Sequence, residues 1–485
     1  MRQASCLGLR PSQRTLSIMI RLLLLTVGLV GCFNAWSSDR EVVYIDSIAV
    51  TGNKQTLSEI ILREMSIREG DTVLLEELPE KITWSEQMIM NTGLFNRAQI
   101  SYQAWKGETN EVQLLVTVEE MWYLSPIPVF ELADRNFNVW WVDQKRSLDR
   151  TNYGVDFAHI NLTGRKDKLK GSVKYGYTRK YALSYSMPYL NKAQTLGAFA
   201  GVGYWRNREI NYRTTDSRQQ FFRSEEGFIY ERFTGEAGIT FRPQLQSYHD
   251  LELSFTQKRI GDEIALDLNP DYLLDGRHRI RYFALRYNYF HENRDVAPYP
   301  WEGSFCYGSL LKEGLGFFGE RSGLTLFTGY GKYIPWGERW SLGLVMRTKL
   351  SIIRSRQPYQ DNRGLGFSGH TMRGWEYYVI DGMDMAMGKS SLRFRFAEYN
   401  FNFGKLMPIS QLRRMPIKLN LSLNNDLGYV NSPYARPDNP HSNRLLWGGG
   451  IGLDIVLYYD KVIQIQYSLN DLMEKGLFLH LSMNI

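Results

Sequence analysis

Arg373 is the residue whose type and setting could do chemistry. It lies in residues 371–382, TMRGWEYYVIDG, a run with two glycines and little alternation, and so a poor strand. A long polar segment, 354–369, precedes it and a strand-like run, 391–403, follows. The tip Met372-Arg373-Gly374-Trp375, set between alternating strands, has the make-up of a loop that plugs a barrel. The chemistry available to it is charge pairing. A guanidinium in a low-dielectric lumen needs a carboxylate and further hydrogen bonds, because an unpaired buried charge is strongly unfavourable. The plainer reading is a solvated loop with one charge among many, the usual situation of a loop arginine. The rest of the chain weighs between them.

No enzymatic constellation stands beside it. Seven histidines are scattered, and there is no Gly-x-Ser-x-Gly elbow and no Cys/His cluster at metal-ligand spacing. No catalytic residue, cofactor or metal is therefore expected. Gly448, Gly449, Gly450 and Gly452 fall inside a strand pattern and read as close backbone approach or tight curvature, not as a phosphate loop. Asp250, Glu252 and Asp454 are expected to pair across a pore with Arg286 or Arg393.

The elements that must position Arg373 follow from composition. Aromatics make up 14% of the 485 residues, glycines number 42, and the mean hydropathy is −0.35. No run after residue 38 approaches the ~18–20 apolar residues of a membrane helix. A chain rich in Tyr, Phe and Gly without such a run suits an antiparallel β protein, including a membrane barrel in which alternate residues face lipid. The net charge of +7 includes four arginines and no acid in the first 38 residues, and without them 54 basic residues face 51 acidic ones. That balance is too weak to argue for nucleic acid.

Residues 1–37 read as an export signal, with Arg21 ahead of the short apolar run 22–30. The 18 residues ahead of Met19 are unusual for a signal, so Met19 stands beside Met1 as a candidate start, and two cleavage readings compete. Ala35-Trp36-Ser37 offers a small-x-small cut, whereas Leu29-Val30-Gly31-Cys32 matches a lipobox that would leave Cys32 acylated. Cys306 then has at most Cys32 for company, which excludes a disulfide framework.

Residues 41–120 show a β-α-α-β-β order. A strand at 43–50 leads to Thr56-Leu57-Ser58-Glu59, which reads as a capping box, and Leu57, Ile61 and Met65 recur as a helical stripe. A second helix is predicted over 78–91, and strands over 98–105 and 112–119. From residue 121 the period changes to two. Ile417, Leu419, Leu421 and Leu423 alternate with Lys418, Asn420, Ser422 and Asn424, and Leu477, Leu479 and Leu481 alternate with Phe478, His480 and Ser482. Sixteen such segments run from 126–142 to 476–485, an even number as in bacterial single-chain barrels. Long polar segments at 207–226, 261–281, 354–371 and 431–444 follow odd strands, and short connections at 164–167 and 459–461 follow even ones. Only the short 178–180 breaks the rule. Alternation alone does not say which face is inside; the export signal favours a membrane.

Several motifs carry a family resemblance. Val50-Thr51-Gly52-Asn53, Arg68-Glu69-Gly70-Asp71 and Asn91-Thr92-Gly93-Leu94-Phe95, in this order, resemble a POTRA domain. Met372-Arg373-Gly374-Trp375 resembles the V-R-G-aromatic loop of the superfamily of BamA, TamA and the two-partner-secretion transporters, with Met372 in place of valine. The resemblance spans 43–485 with room for one POTRA module and none for a hydrolase domain ahead of it. It implies a small α+β POTRA domain (41–120) in the periplasm, followed by a 16-stranded antiparallel transmembrane β-barrel (121–485) in the bacterial outer membrane. It also implies that Arg373 enters the lumen and meets acids on the next two strands. Asp426 has the inward parity for one of these, and Glu398 is the candidate for the other if a bulge near Ala397 re-aims it.

At the C-terminus, Gly476, Phe478, Leu481 and Ile485 belong to a stretch resembling the signal by which barrels are recognised, though it ends in Ile rather than an aromatic residue. Gly476 would weaken the closing seam. The implied function is non-enzymatic assembly, insertion or translocation, by β-strand addition at the barrel seam and the POTRA sheet edge. The implied partners are outer-membrane lipid, unfolded β-barrel or exported clients and periplasmic accessory proteins, with no nucleic acid. A dedicated pore for one exoprotein and a passive structural barrel are the alternatives.

Overall fold

In a computed structural model the period-two alternation resolves in one direction. Leu421, Leu423, Ile451, Leu477 and Leu481 are exposed, whereas Asn420, Ser422, Asn424 and Asp426 are buried. An apolar exterior around a polar interior is the inverse of a water-soluble barrel and matches a barrel whose solvent is lipid. The structure describes residues 41–482 other than 107–108, 192, 368, 405–413, 436–437 and 458–460. The export signal, Cys32 and Ile485 lie outside the described residues.

The N-terminal unit has the elements β1 (Val42–Thr51), α1 (Ser58–Arg63), β2 (Thr72–Leu74), α2 (Leu78–Asn91), β3 (Phe95–Lys106) and β4 (Glu111–Glu120). The sheet order is β2-β1-β4-β3, with β1 and β4 parallel. Val43, Ile45, Val112, Leu114 and Val116 join Ile60, Ile61, Ile82 and Ile89 in the core, so alternate strand residues meet one stripe of each helix. Two details differ from the sequence pattern. The three-residue β2 intervenes between the helices, and α1 begins at Ser58 with Leu57 as its N-cap, which makes no side-chain cap bond. The Glu120 carboxylate, 64 residues away, accepts the Thr56 N–H (2.6 Å) and those of Lys54 and Gln55 (both 3.1 Å). A tertiary contact thus holds the backbone that leads into the helix.

Sixteen strands, from Leu124–Leu132 to Lys475–Ser482, form the second unit as one antiparallel meander in which each pairs with its sequence neighbours. Among the described residues no helix is long and apolar enough to cross a membrane, so the crossing falls to these strands. The first strand is shorter than its sequence segment, because Val139–Asp143 turns as a π-helix. The polar segment after the fifth strand carries its own hairpin, Glu209–Thr215 with Arg218–Arg223. Ser217, at its tip, accepts the Val379 N–H at 2.8 Å, and Arg213 pairs with Asp438 at 2.9 Å. Loops after the fifth, eleventh and thirteenth strands thereby interlock. Ile210, Ile264, Tyr272, Leu273 and Ile280 form an apolar core beneath them.

Candidate functional site: the lumen loop and the seam

Between the eleventh strand (Trp340–Ser351) and the twelfth (Asp384–Asn402), the chain folds back on itself. Arg363–Leu365 pairs with Ile380–Asp381 at its base. Met372 packs with Leu365, Tyr378, Met385, Val430 and Leu446 in a buried cluster, which seats the following residue deep among strands.

Arg373 Nη1 lies 2.6 Å from Asp426 Oδ1, and the Arg373 backbone N–H donates to Asp426 Oδ2 at 3.0 Å. Lys389 Nζ stands 3.5 Å from the same carboxylate, which is fully buried. One anion thus serves two cations and a main-chain donor, the compensation a buried carboxylate requires. Arg373 Nη2 donates to Ser391 Oγ at 3.1 Å, and the Ser391 hydroxyl donates in turn to Asn424 Oδ1 at 2.6 Å.

Glu398 does not meet Arg373. The bulge expected near Ala397 is present, between Arg395 and Ala397, but Glu398 pairs with Lys418 (3.9 Å) and Arg395 (3.8 Å). Register is the reason: Lys389 is the residue opposite Asp426, and Glu398 lies opposite Lys418, eight residues along the thirteenth strand. The twelfth-strand partner of Arg373 is the hydroxyl of Ser391. Asp454 also differs from expectation, accepting the Tyr299 hydroxyl (2.8 Å) and Gln464 (3.1 Å), while Arg393 donates to the Pro300 carbonyl.

Beyond Arg373 the loop continues toward the end of the sheet. A Cβ at Gly448 on the fourteenth strand would sit 1.8 Å from the Arg373 carbonyl oxygen. Gly374 has φ +78°, and its own Cβ would meet the Leu469 carbonyl oxygen at 2.5 Å. Trp375 Nε1 donates to the Trp447 carbonyl (2.9 Å), and Asn470 Nδ2 donates to the Gly374 carbonyl (2.9 Å). On the last strand Phe478 is buried against Tyr377, with ring centroids 5.5 Å apart, and His480 Nε2 lies 3.4 Å from the buried Glu376. Gly476 pairs with Ser468, and Leu481 points outward. The loop therefore touches the twelfth through sixteenth strands. Asn470 and Glu376 were not singled out in the sequence; Asn470 has the inward parity of its strand, and the glycines at 448–450 already announced a close approach.

Two loop groups outside the sixteen barrel strands are shifted in opposite senses. Burial, with Arg347, Lys349 and Lys389 nearby, lowers His370 to about 4. Burial raises Asp381 to about 6, against the Thr214 hydrogen bond, Arg363 and Lys349. His370 is held neutral, so its contribution to loop seating is lost as pH falls from about 6.5 toward 4. Asp381 resists ionisation in place, so its penalty grows as pH rises from about 4 through 6. In the His370→Gln variant the loop should be better protected at pH 5 than at pH 7, and in Asp381→Asn the order should reverse. Hydrogen exchange across 363–382 at the two pH values checks both signs.

The comparisons with known proteins agree with this architecture. Residues 43–121 match the family POTRA, described as a surface antigen variable number repeat, and residues 161–457 match the Omp85 superfamily domain. Among solved structures, the fold is similar to BamA from Haemophilus ducreyi lacking POTRA domains 1–3, with 15% identity and a TM-score of 0.58 over 91% of this chain and 84% of that one. It is also similar to CdiB from Escherichia coli, with 12% identity and a TM-score of 0.55 over 90% of this chain and 75% of that one. No curated protein sequence matches.

Proposed function

We propose, from the premise that this chain belongs to the Omp85 superfamily, that it assembles or inserts outer-membrane proteins by offering a strand edge at its barrel seam. The observation that carries this reading is that the sheet has two ends. The first strand pairs only with the second and the last only with the fifteenth, with no ladder between them among the described residues. A row of unpaired N–H and C=O groups is a template for another chain. Hydrogen bonds gained by a client strand, together with its folding, supply the driving force without a covalent step.

The first strand explains why the seam does not zip. Tyr123 accepts the Ile160 N–H and Ala133 donates to Arg150, so odd-numbered residues bond to the second strand and even ones face the free edge. Pro126 and Pro128 are both even, and proline has no N–H to give. That edge is therefore short of donors. The lumen is a poorer route than the seam, because the Arg373 loop and the interlocked outer loops occupy it. In this reading the POTRA unit lies in the periplasm, where β3, an edge strand of its sheet, would receive clients or accessory proteins in the same manner.

Depletion of the protein in its native bacterium, with quantitation of the outer-membrane proteome, tests the reading. Loss of many barrel proteins is expected. Loss of one exported protein with other barrels intact would mark a dedicated secretion pore, and no change in any protein would mark a passive barrel.

A further inference from the structure

The two edges of the seam are not equivalent. The first strand's edge lacks two donors, whereas the last strand, Lys475–Ser482, contains no proline. The groups on its outer edge are those of the odd residues, since Leu477 and Leu479 direct a carbonyl and an N–H away from the fifteenth strand. One side chain holds both. Asn138 Nδ2 donates to the Leu477 carbonyl at 2.7 Å, and Asn138 Oδ1 accepts the Leu479 N–H at 3.1 Å. A carboxamide presents an N–H donor beside a C=O acceptor, as the backbone of a neighbouring strand does. Asn138 thereby satisfies the two edge groups flanking Phe478 that a neighbouring strand would otherwise take.

Asn138 is buried, and its position is built. Asn136 Oδ1 accepts the Val139 N–H at 2.8 Å, and Asn136 Nδ2 donates to the Glu376 carbonyl of the lumen loop at 2.8 Å. Arg135 Nη1 donates to the carbonyls of Gly366 (3.0 Å) and Tyr378 (2.9 Å) in that same loop. The segment that caps the edge is thus tied to the loop that carries Arg373, and Tyr377 and Glu376 of that loop touch Phe478 and His480 on the capped strand.

We propose that the edge of the last strand at Leu477–Leu479 is the docking position for an extended client strand, and that Asn138 is a built-in competitor that the client must displace. The inference rests on seam docking as the mode of action and adds which edge is used and what guards it. A client offers a continuous series of donors and acceptors, so it outcompetes one carboxamide, whereas an isolated stray donor does not. The cap leaves the edge satisfied when no client is present, which counters edge-to-edge association of the kind unpaired strands invite.

The test uses the full chain in phospholipid vesicles, with a photo-crosslinking residue in place of Leu481. The probe is a synthetic peptide with the sequence of Val462–Asn470, which already pairs with the last strand on its other side. Amide exchange at Leu479 is followed in the same samples. Asn138→Ala is expected to accelerate exchange at Leu479 and to raise peptide capture about tenfold, the scale of one or two net hydrogen bonds. Asn138→Asp, which keeps the side-chain size but sets an anion against the Leu477 carbonyl, should act in the same direction. Unchanged exchange and capture in both variants would overturn the cap while leaving edge docking intact. Faster exchange with unchanged capture would overturn the competition. No capture by any of the three proteins, with exchange accelerated in the variants, would overturn seam docking itself and this inference with it.

Discussion

Replacing Asp426 with alanine is expected to release the lumen loop, at a cost of about 3–5 kcal/mol, the usual effect of leaving a buried charge uncompensated. The carboxylate is wholly buried and holds Arg373 at 2.6 Å and Lys389 at 3.5 Å, so its loss strands two cations at once. It also strands the Arg373 N–H, which donates to Asp426 Oδ2. Arg373→Ala should cost less, because Asp426 keeps Lys389 as its partner. The order of the two variants is therefore the discriminating quantity. Denaturant unfolding in detergent, with protease sensitivity of residues 354–383, measures it. An Arg373→Ala effect equal to or larger than that of Asp426→Ala would mean that the carboxylate is not the hub.

Gly448→Ala is expected to unseat the same loop by sterics alone. The added Cβ would stand 1.8 Å from the Arg373 carbonyl oxygen and 3.3 Å from Trp375 Cδ1, and the first of these is backbone that cannot rotate away. Overpacking commonly costs about 1–3 kcal/mol, and here the displacement would also break the Trp375–Trp447 hydrogen bond and shift Arg373 from Asp426. A total of about 3 kcal/mol follows, with hydrogen-exchange protection lost across the loop. Gly388→Ala supplies the comparison, since no atom lies within 4 Å of the Cβ it would add. That variant should stay within about 0.5 kcal/mol of the parent. Equal protection of the loop in both variants would show that the Arg373–Gly448 approach is not what seats it.

These two residues illustrate how far the sequence could be read. Asp426 was legible because the resemblance of the loop motif implies an acid partner for Arg373 and the parity of Asp426 matches Asn420, Ser422 and Asn424 on the thirteenth strand. The glycines at 448–450 were legible as a close approach, though not what approaches them. Glu398 was misplaced because a bulge changes the side to which a residue points but not how far along the strand it sits. At the start of α1 a distant residue likewise intervenes, since the Glu120 carboxylate accepts the N–H groups of Lys54, Gln55 and Thr56, a contact that no local pattern predicts.

The chain by itself determined sixteen alternating strands, the side of the sheet on which its long loops emerge, and the residue pair around which the lumen loop is fastened. The strands and loops follow from local periodicity, and the pair follows from the family resemblance of the loop motif together with parity and the cost of burying a charge. Only the tertiary structure decided which face meets lipid, because alternation is symmetric until the sheet curves and one face is enclosed. It alone decided that Ser391 replaces a carboxylate beside Arg373, since that depends on the register between two strands. It alone brought Asn138 to the edge of Leu477 and Leu479, more than 330 residues away in sequence. No local pattern encodes such a contact, because it exists only where the curved sheet brings its two ends together.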